Sequence, residues 1–121
     1  MDVIDILLNN EPLKAEEKEY KIKRLSKVYK ADVIFKLKGL SYNRVADIKN
    51  MNNEDVSVHI VLAGVKEPNL KNKELLEKYN AVTPAELVKK MLLPGEIEDI
   101  SKAIEKLSGY RTNTIEEIKK K

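Results

Sequence analysis

The residue types that carry most enzymatic chemistry are sparse in this sequence. His59 is the only histidine and there is no cysteine, so a histidine-based zinc site, a thiolate site or a nucleophile–histidine pair cannot be assembled. The apolar neighbours of His59 favour a core or subunit-contact histidine over a ligand. Neither glycine-rich phosphate-binding motif nor the G-x-S-x-G elbow of hydrolases occurs. We therefore expect a protein that is not an enzyme and that binds no metal and no cofactor.

The acidic residues are placed for structure rather than for catalysis. They fall at predicted helix starts or four residues before a lysine, as Glu74 does before Lys78 and Glu86 before Lys90. That spacing is typical of ion pairs on a helix surface. A catalytic carboxylate needs a desolvated pocket that moves its pKa, and no surrounding sequence marks such a pocket. The carboxylates thus give no support to an acid–base mechanism.

The residues that could bind an anion are the basic ones at residues 21–38. This segment holds seven lysines and arginines against Asp32 alone, whereas the whole chain has a net charge of only +3. The candidate basic patch consists of Lys21, Lys23, Arg24, Lys36 and Lys38. Such a patch could neutralise phosphates in a nucleic-acid-binding module. Aromatic residues for base stacking are few nearby, so a solvated face is favoured and nucleic acid stays the alternative.

Around these residues the sequence predicts one mostly helical α+β domain, with an N-terminal β-hairpin followed by about five short helices. A length of 121 residues suits a single domain. We divide it into a helical arm at residues 1–12, the hairpin at residues 20–38, a helical body at residues 41–110 and a tail at residues 111–121. The arm is predicted because Val3, Ile6 and Leu7 share one helical face, away from Asp2 and Asp5.

The hairpin prediction depends on alternation. Val33, Phe35 and Leu37 alternate with residues 34, 36 and 38, which is typical of a half-buried strand. Its partner is predicted at residues 20–23, with the chain turning back through residues 29–32. A helix stays open for the first part, because Ile22 and Leu25 are also at helical spacing.

Residues 56–65 fit two kinds of secondary structure. Apolar side chains alternate over residues 56–62, which favours a strand. Asn53, followed by two acidic residues, predicts a helix start, and Gly64 suits a helix end. We favour a buried helix, and a strand is the alternative.

Local capping signals place the other helices. Ser41 is a predicted N-cap, and the Thr-Pro-Ala-Glu run at residues 83–86 combines an N-cap, a first-turn proline and a capping box. Two helix ends are predicted: Asn80 ends a helix at residues 70–79, and Gly109 ends the helix that follows the Pro-Gly pair at residues 94–95. Residues 114–117 form one more capping box, which predicts a further helix start. The predicted shared core consists of Leu75, Leu87, Met91, Ile97, Ile100, Ile104 and Leu107.

Three sequence blocks resemble a known family. They are EPNLKNKELLEKY at residues 67–79, LVKKMLLPGE at residues 87–96 and LSGY at residues 107–110. In this order and spacing they are similar to the XkdN-like phage tail assembly chaperones of PBSX-type prophages and contractile-tailed phages. The family pattern also has a basic strand, matched by Arg24-Leu25-Ser26, and a second strand, matched by residues 35–38. The turn between those strands lacks the family's Asp-Gly-rich insert, and Tyr110 stands where Phe is commoner.

The resemblance implies a cytoplasmic chaperone that holds the tape measure protein soluble, helps tail tube protein subunits gather around it, and is absent from the finished tail. A long helical client exposes apolar stripes that aggregate, and a small helical protein could cover them by helix-in-groove contacts. A structural tail or baseplate protein and a nucleic-acid-binding module are the alternatives. The sequence leaves open the phage type, the client-binding region and whether the protein forms a homo-oligomer.

The Pro-Gly block has two interpretations. In the favoured one Pro94 fixes the first turn of a helix and Gly95 relieves crowding at a tight corner between helices. In the other, the block contacts the client directly. The candidate partner-binding residues are then Leu92, Leu93, Pro94, Gly95 and Glu96.

The two ends of the sequence carry one expectation each. The N-terminus has acids where a signal peptide needs bases, and no window approaches the roughly 20 apolar residues of a membrane span, so we expect a cytoplasmic protein. The three lysines at residues 119–121 suit either a solvated tail or codons at a slippery site, where a frameshift would yield a longer product. The solvated tail is favoured.

Overall fold

The chain forms seven helices and three strands within residues 2–51 and 54–119, the part that the computed structural model describes. In chain order they are α1 (Val3–Leu8), β1 (Glu17–Lys21), α2 (Lys23–Tyr29), β2 (Ile34–Lys38), α3 (Tyr42–Met51), α4 (Val56–Gly64), β3 (Val65–Glu67), α5 (Lys73–Lys78), α6 (Pro84–Met91) and α7 (Pro94–Leu107). The predicted α+β class with mostly helical content is confirmed. Five helices follow β2, as predicted.

The three strands form one antiparallel sheet with β2 in the centre, between β1 and β3. Tyr20 lies opposite Phe35 in the β1–β2 ladder, and β3 pairs with the end of β2 across a bulge. Phe35 and Leu37 are buried while Ile34 is exposed, so the alternation predicted for this strand is confirmed. One face of the sheet therefore covers the helical core.

The connection between β1 and β2 differs from the predicted turn. Residues 23–29 form α2, so Arg24, Leu25 and Ser26 do not lie on the basic strand that the resemblance implied. A helix is favoured because Ile22 and Leu25 are both buried, and positions three apart share a face in a helix but not in a strand. The Ser26 hydroxyl also accepts a hydrogen bond from the Val33 N–H at 2.9 Å, which returns the chain to β2.

Helix α4 is the central helix, because it packs against α3, α6 and α7. The helix prediction for residues 56–65 is confirmed up to Gly64. Alternation misleads here because Val58, Ile60 and Val61 are all buried, and a helix surrounded by protein is apolar on every side. The predicted N-cap Asn53 lies outside the described residues. Asp55 occupies the cap position with φ 59° and does not cap the helix with its side chain.

Helix α7 is held closely against the rest of the core. A Cβ added at Gly64 would lie 2.5 Å from atoms of the Ile104 side chain, and one at Gly39 would lie 2.6 Å from the Leu107 carbonyl oxygen. The Ser108 hydroxyl then accepts a hydrogen bond from the Leu40 N–H at 2.8 Å. Glycine at positions 39 and 64 thus allows backbone approaches that a side chain would block.

The predicted core is largely confirmed. Leu87, Met91, Ile97, Ile100 and Ile104 are buried in one cluster, whereas the other two predicted members, at positions 75 and 107, are partly buried and pack against it.

Of the remaining helix predictions, those in the body are confirmed and the one in the tail is wrong. Thr83 caps α6 by accepting from the Glu86 N–H at 3.1 Å, and Asn80 has φ 51° just beyond the end of α5. No helix forms at residues 113–119, so the helix start predicted at Thr114 is wrong. Ile115 is exposed and has no surface to pack on, and a short helix without packing is marginal. Residues 120 and 121 lie outside the described part.

Candidate partner-binding surfaces

The predicted basic patch is divided by acidic neighbours. Lys36 and Lys38 lie directly across the β1–β2 ladder from Glu19 and Glu17. Opposite charges at facing positions of a sheet attract, so these lysines belong to a mixed surface. A uniform phosphate-binding face does not form on this part of the sheet.

The other predicted cations lie at the end of β1 and the start of α2. Lys21 forms an ion pair with Asp32 at 3.1 Å, and Lys23 is exposed nearby. Together with Lys27 and Lys30 they border a shallow depression of about 460 Å³. Arg24 faces away from this group and contacts the junction of α6 and α7.

Arg24 and Glu96 are brought together although 72 positions separate them. The Arg24 Nε donates to one Glu96 carboxylate oxygen at 3.0 Å, and its Nη2 donates to the other at 2.9 Å. The same Nη2 donates to the Met91 carbonyl at 3.1 Å, and the Leu93 N–H donates to Glu96 at 2.7 Å. Two backbone groups left unpaired by the ends of α6 and α7 are thereby satisfied. A predicted anion-binding residue and a predicted client-binding residue thus form one structural clamp.

The clamp lowers the pKa of Glu96. Hydrogen bonding from Arg24 is the main cause that holds the pKa of Glu96 below its ordinary value, and the Leu93 N–H acts in the same direction. Partial burial opposes both by raising that pKa. The side chain of Glu96 is 19% exposed and that of Arg24 is 37% exposed, so water reaches only part of the pair. The carboxylate is therefore kept charged at neutral pH.

The five predicted client-contact residues have different environments. Leu92 is 3% exposed and belongs to the core, whereas Leu93 is 51% exposed. The backbone explains this difference, because both residues are extended, and consecutive extended residues point to opposite sides. Pro94 occupies the first turn of α7 and is exposed with Gly95. We call residues 92–96 the corner.

The crowding predicted at Gly95 is wrong. A Cβ added there would meet no atom within 4 Å. Gly95 is a helical residue near the exposed start of α7, so an alanine side chain would point into open space. The tight approaches of this fold occur at other glycines.

A shallow groove of about 430 Å³ lies beside the corner, and we call it the corner groove. Its apolar wall includes Val56, Leu92, Pro94 and Ile97. Across it, Lys89 of α6 and Asp55 at the start of α4 form an ion pair at 2.6 Å, with both side chains about half exposed. Leu92 lines this groove, and the exposed Leu93 side chain points away from that of Leu92, so Leu93 and the groove lie on opposite sides of the same extended segment.

A larger open groove of about 790 Å³ lies on another side of α4, between α3, β3 and the segment after β3. We call it the α3–α4 groove. Its floor includes Ile48, Leu62 and Leu70, and the half-buried His59 lies in its wall. His59 was expected in the core or at a subunit contact, and the structure places it at the margin of the core, partly exposed to this groove.

Four cations border the α3–α4 groove, namely Lys38, Arg44, Lys66 and Lys71, together with one carboxylate, Asp47. Only Lys38 belongs to the predicted basic patch. The others come from α3, β3 and a loop, so no run of charge in the sequence connects them. The amphipathic pattern of α3 is the sequence feature that could have indicated this groove, but it does not show which elements pack against α3.

Two further findings concern the described residues, 2–51 and 54–119. No three histidine, aspartate or glutamate side chains among them come together in a way that could hold a metal ion. None of their helices combines the length and the apolar character that a membrane crossing requires.

Comparisons with known proteins agree with the resemblance found in the sequence. The sequence model of the family described as phage XkdN-like tail assembly chaperone protein matches residues 4–120. Among solved structures, the crystal structure of the protein YqbN is similar, with a TM-score of 0.67 and 25% sequence identity over 83% of this chain and 90% of that chain. No curated protein matches the chain. Because the family match spans nearly the whole sequence, the chain belongs to the XkdN-like family of phage tail assembly chaperones.

Proposed function

We propose that this chaperone acts by binding the tape measure protein of the phage tail in the bacterial cytoplasm, without catalysis. It would keep that long helical client soluble while tail tube subunits gather around it, and then leave before the tail is complete. Membership of the tail assembly chaperone family is the observation that carries this proposal.

The corner is the surface that we propose for the client. The corner offers an exposed leucine to the apolar face of an amphipathic helix, and the corner groove on its other side has an apolar wall. The clamp between Arg24 and Glu96 fixes the backbone around Leu93, so less conformational entropy is lost when a client binds. The small apolar area keeps such binding weak enough to be reversed during assembly.

Co-expression with the tape measure protein tests the proposal. Alone, the client should be mostly insoluble, and the wild-type chaperone should bring it into the soluble fraction and co-purify with it. Leu93→Asp places a charge in the proposed contact and should reduce co-purification at least about tenfold, since about 1.4 kcal/mol of lost binding energy has that effect.

Ile115→Asp is the matched control, because Ile115 is 87% exposed in the tail, which follows the end of α7 opposite the corner. It should solubilise the client as well as wild type does. Circular dichroism must give the same helical signal for both variants. A client that stays insoluble with wild-type chaperone would contradict the proposed function, and equal co-purification by both variants would contradict the corner as the contact.

A structural tail or baseplate protein is separated from a chaperone by its final location. Purified tails should lack the protein, while lysates taken during assembly should contain it bound to the client. Stoichiometric protein in washed tails, detected by mass spectrometry, would favour the structural alternative.

A further inference from the structure

Helix α2 carries a surface of one charge sign that its own chain compensates little. We call the four lysines that border the depression beside it the lysine surface, namely Lys21, Lys23, Lys27 and Lys30. Asp32 is the one carboxylate in that lining, and it forms an ion pair with Lys21. Among the residues that the structure describes, no carboxylate forms an ion pair with the other three lysines. The depression thus has a net charge of +3, equal to that of the whole chain, and attracts an anionic partner.

The side of α2 that faces the corner exposes an apolar residue. Val28 is 62% exposed and follows Arg24 by four residues, so the two side chains share one side of the helix. Arg24 binds the Glu96 carboxylate, which also accepts a hydrogen bond from the Leu93 N–H. Val28 therefore lies on the side of α2 that adjoins the corner, where Leu93 is exposed as well.

Lysines and apolar side chains occupy neighbouring rows of this helix. Lys23 and Lys27 are also four residues apart, and each comes one position before a member of the row formed by Arg24 and Val28. Because successive residues of a helix are about 100° apart, the lysine row runs beside the other row, on the side away from the corner. A partner lying across the exposed face of α2 thus meets apolar side chains along one edge and ammonium groups along the other.

This arrangement fits a polypeptide better than a nucleic acid. The lining of the depression contains neither an aromatic side chain for base stacking nor an arginine for bidentate phosphate binding. Tyr29 of the same helix extends toward Tyr79 at the end of α5, with 3.4 Å between the two hydroxyl oxygens. The exposed Val28 and Leu93 match an apolar stripe, which a phosphate backbone does not have.

We infer that the client segment bound at the corner is an amphipathic helix with carboxylates along one edge of its apolar stripe, and that the lysine surface binds those carboxylates. The inference rests on the proposed function, because it names the chemistry of the segment that the corner holds. The apolar stripe contacts Leu93 and Val28, and the lysines fix the orientation of the helix and select acidic segments over basic ones.

Peptides of about 25 residues that together cover the tape measure protein test the inference, because a helix of that length spans about 37 Å. Each peptide carries a fluorescent label, and its binding to the full-length chaperone is measured by anisotropy at about 0.05 M salt, where charges are weakly screened. The lysine variant carries Lys23→Glu and Lys27→Glu. Lys14→Glu with Lys119→Glu is the control, because it changes the net charge equally at exposed positions before β1 and in the tail. Circular dichroism verifies the fold of both variants.

Peptides that bind wild type should have an apolar stripe edged by aspartate or glutamate. The lysine variant should bind them at least about tenfold more weakly than wild type and the control do, and binding to wild type should weaken as salt is raised to about 0.3 M. A swapped peptide, with lysine at those acidic positions, should bind the lysine variant at least about tenfold more tightly than it binds wild type. It should also bind wild type more weakly than the original peptide does, and this comparison requires no variant of the chaperone to fold.

Equal binding of the acidic peptides by wild type and the lysine variant would overturn the inference, while their loss in Leu93→Asp would leave the proposed function standing. If no peptide binds wild type, the inference is also wrong, and the solubility of the co-expressed client then decides the proposed function separately. A labelled single-stranded DNA of about 20 nucleotides is the second probe. Tighter binding of this DNA than of any peptide, lost in the lysine variant, would overturn the inference in favour of a nucleic-acid surface.

Discussion

Ile104 lies at the centre of the packing of the body. It is completely buried in α7, and three of its carbon atoms face Gly64 of α4 so closely that an added Cβ would lie 2.5–2.7 Å from them. The contact joins the two helices that form the centre of the fold. We therefore expect Ile104→Ala to destabilise the whole domain.

The magnitude follows from the atoms removed. Three buried carbons at about 0.8 kcal/mol each contribute about 2.4 kcal/mol of lost transfer free energy. A residual cavity on the order of 60 Å³ adds about 1.5 kcal/mol at about 24 cal/mol per Å³. The free energy of unfolding should therefore fall by about 4 kcal/mol.

A substitution at Gly64 tests the same packing contact more specifically. Gly64→Ala alone introduces a methyl group into occupied space and should cost about 1–3 kcal/mol. In the Ile104→Ala background the same methyl group lies in the new cavity. The double variant should therefore be more stable than the sum of the single losses predicts, by at least about 1 kcal/mol.

Urea unfolding followed by far-ultraviolet circular dichroism measures these values, since the chain has no tryptophan for fluorescence. The slope of the free energy of unfolding against urea concentration should be the same in each variant as in wild type. An unchanged slope indicates that the substitution acts on the folded state. Ile118→Ala is the control, because Ile118 is 79% exposed and its loss should cost under about 0.5 kcal/mol. A comparable small loss at Ile104, or strict additivity with Gly64→Ala, would refute the packing argument.

Two further predictions concern the corner and the tight approaches. Because the pKa of Glu96 is lowered below its ordinary 4.5, chiefly by Arg24, its stabilisation is present above that value and is lost as pH falls through the lowered pKa. The stability difference between wild type and Glu96→Gln should thus shrink in urea titrations as the pH falls below about 4.5 and through the lowered pKa of Glu96. Gly95→Ala should stabilise the protein by about 0.4–1 kcal/mol, whereas Gly39→Ala should destabilise it by about 1–3 kcal/mol in thermal or urea melts. Equal effects at the two glycines would contradict the geometry.

The later helices could be predicted because their signals are local. Thr83 and Asn80 act on backbone groups within four residues, so the sequence contains both partners of each contact. Helix α4 was harder to predict, because burial on all sides removes the periodicity that identifies a helix. There the final glycine was a better guide than the alternation.

The connection at residues 22–33 and the site itself depend on contacts that the sequence does not reveal. Whether residues 20–23 continue a strand is decided by the burial of Ile22 and Leu25 together in the core, which requires the helices to be in place. The same holds for Arg24, whose partner Glu96 is 72 positions away. Arg24 was predicted in the basic patch and Glu96 in the client contact. The ion pair between them does not support either role.

The two grooves meet α4 at different places, and this decides which substitutions can separate their roles. The first residues of α4 border the corner groove, while His59 and Leu62 border the α3–α4 groove. A change within α4 therefore disturbs both grooves and the core together. Leu93 and Arg44 are exposed on different elements, so each alters one surface. Loss of client binding in Leu93→Asp with the fold intact would assign the client to the corner. Loss of client binding in Arg44→Glu alone would instead assign the client to the α3–α4 groove.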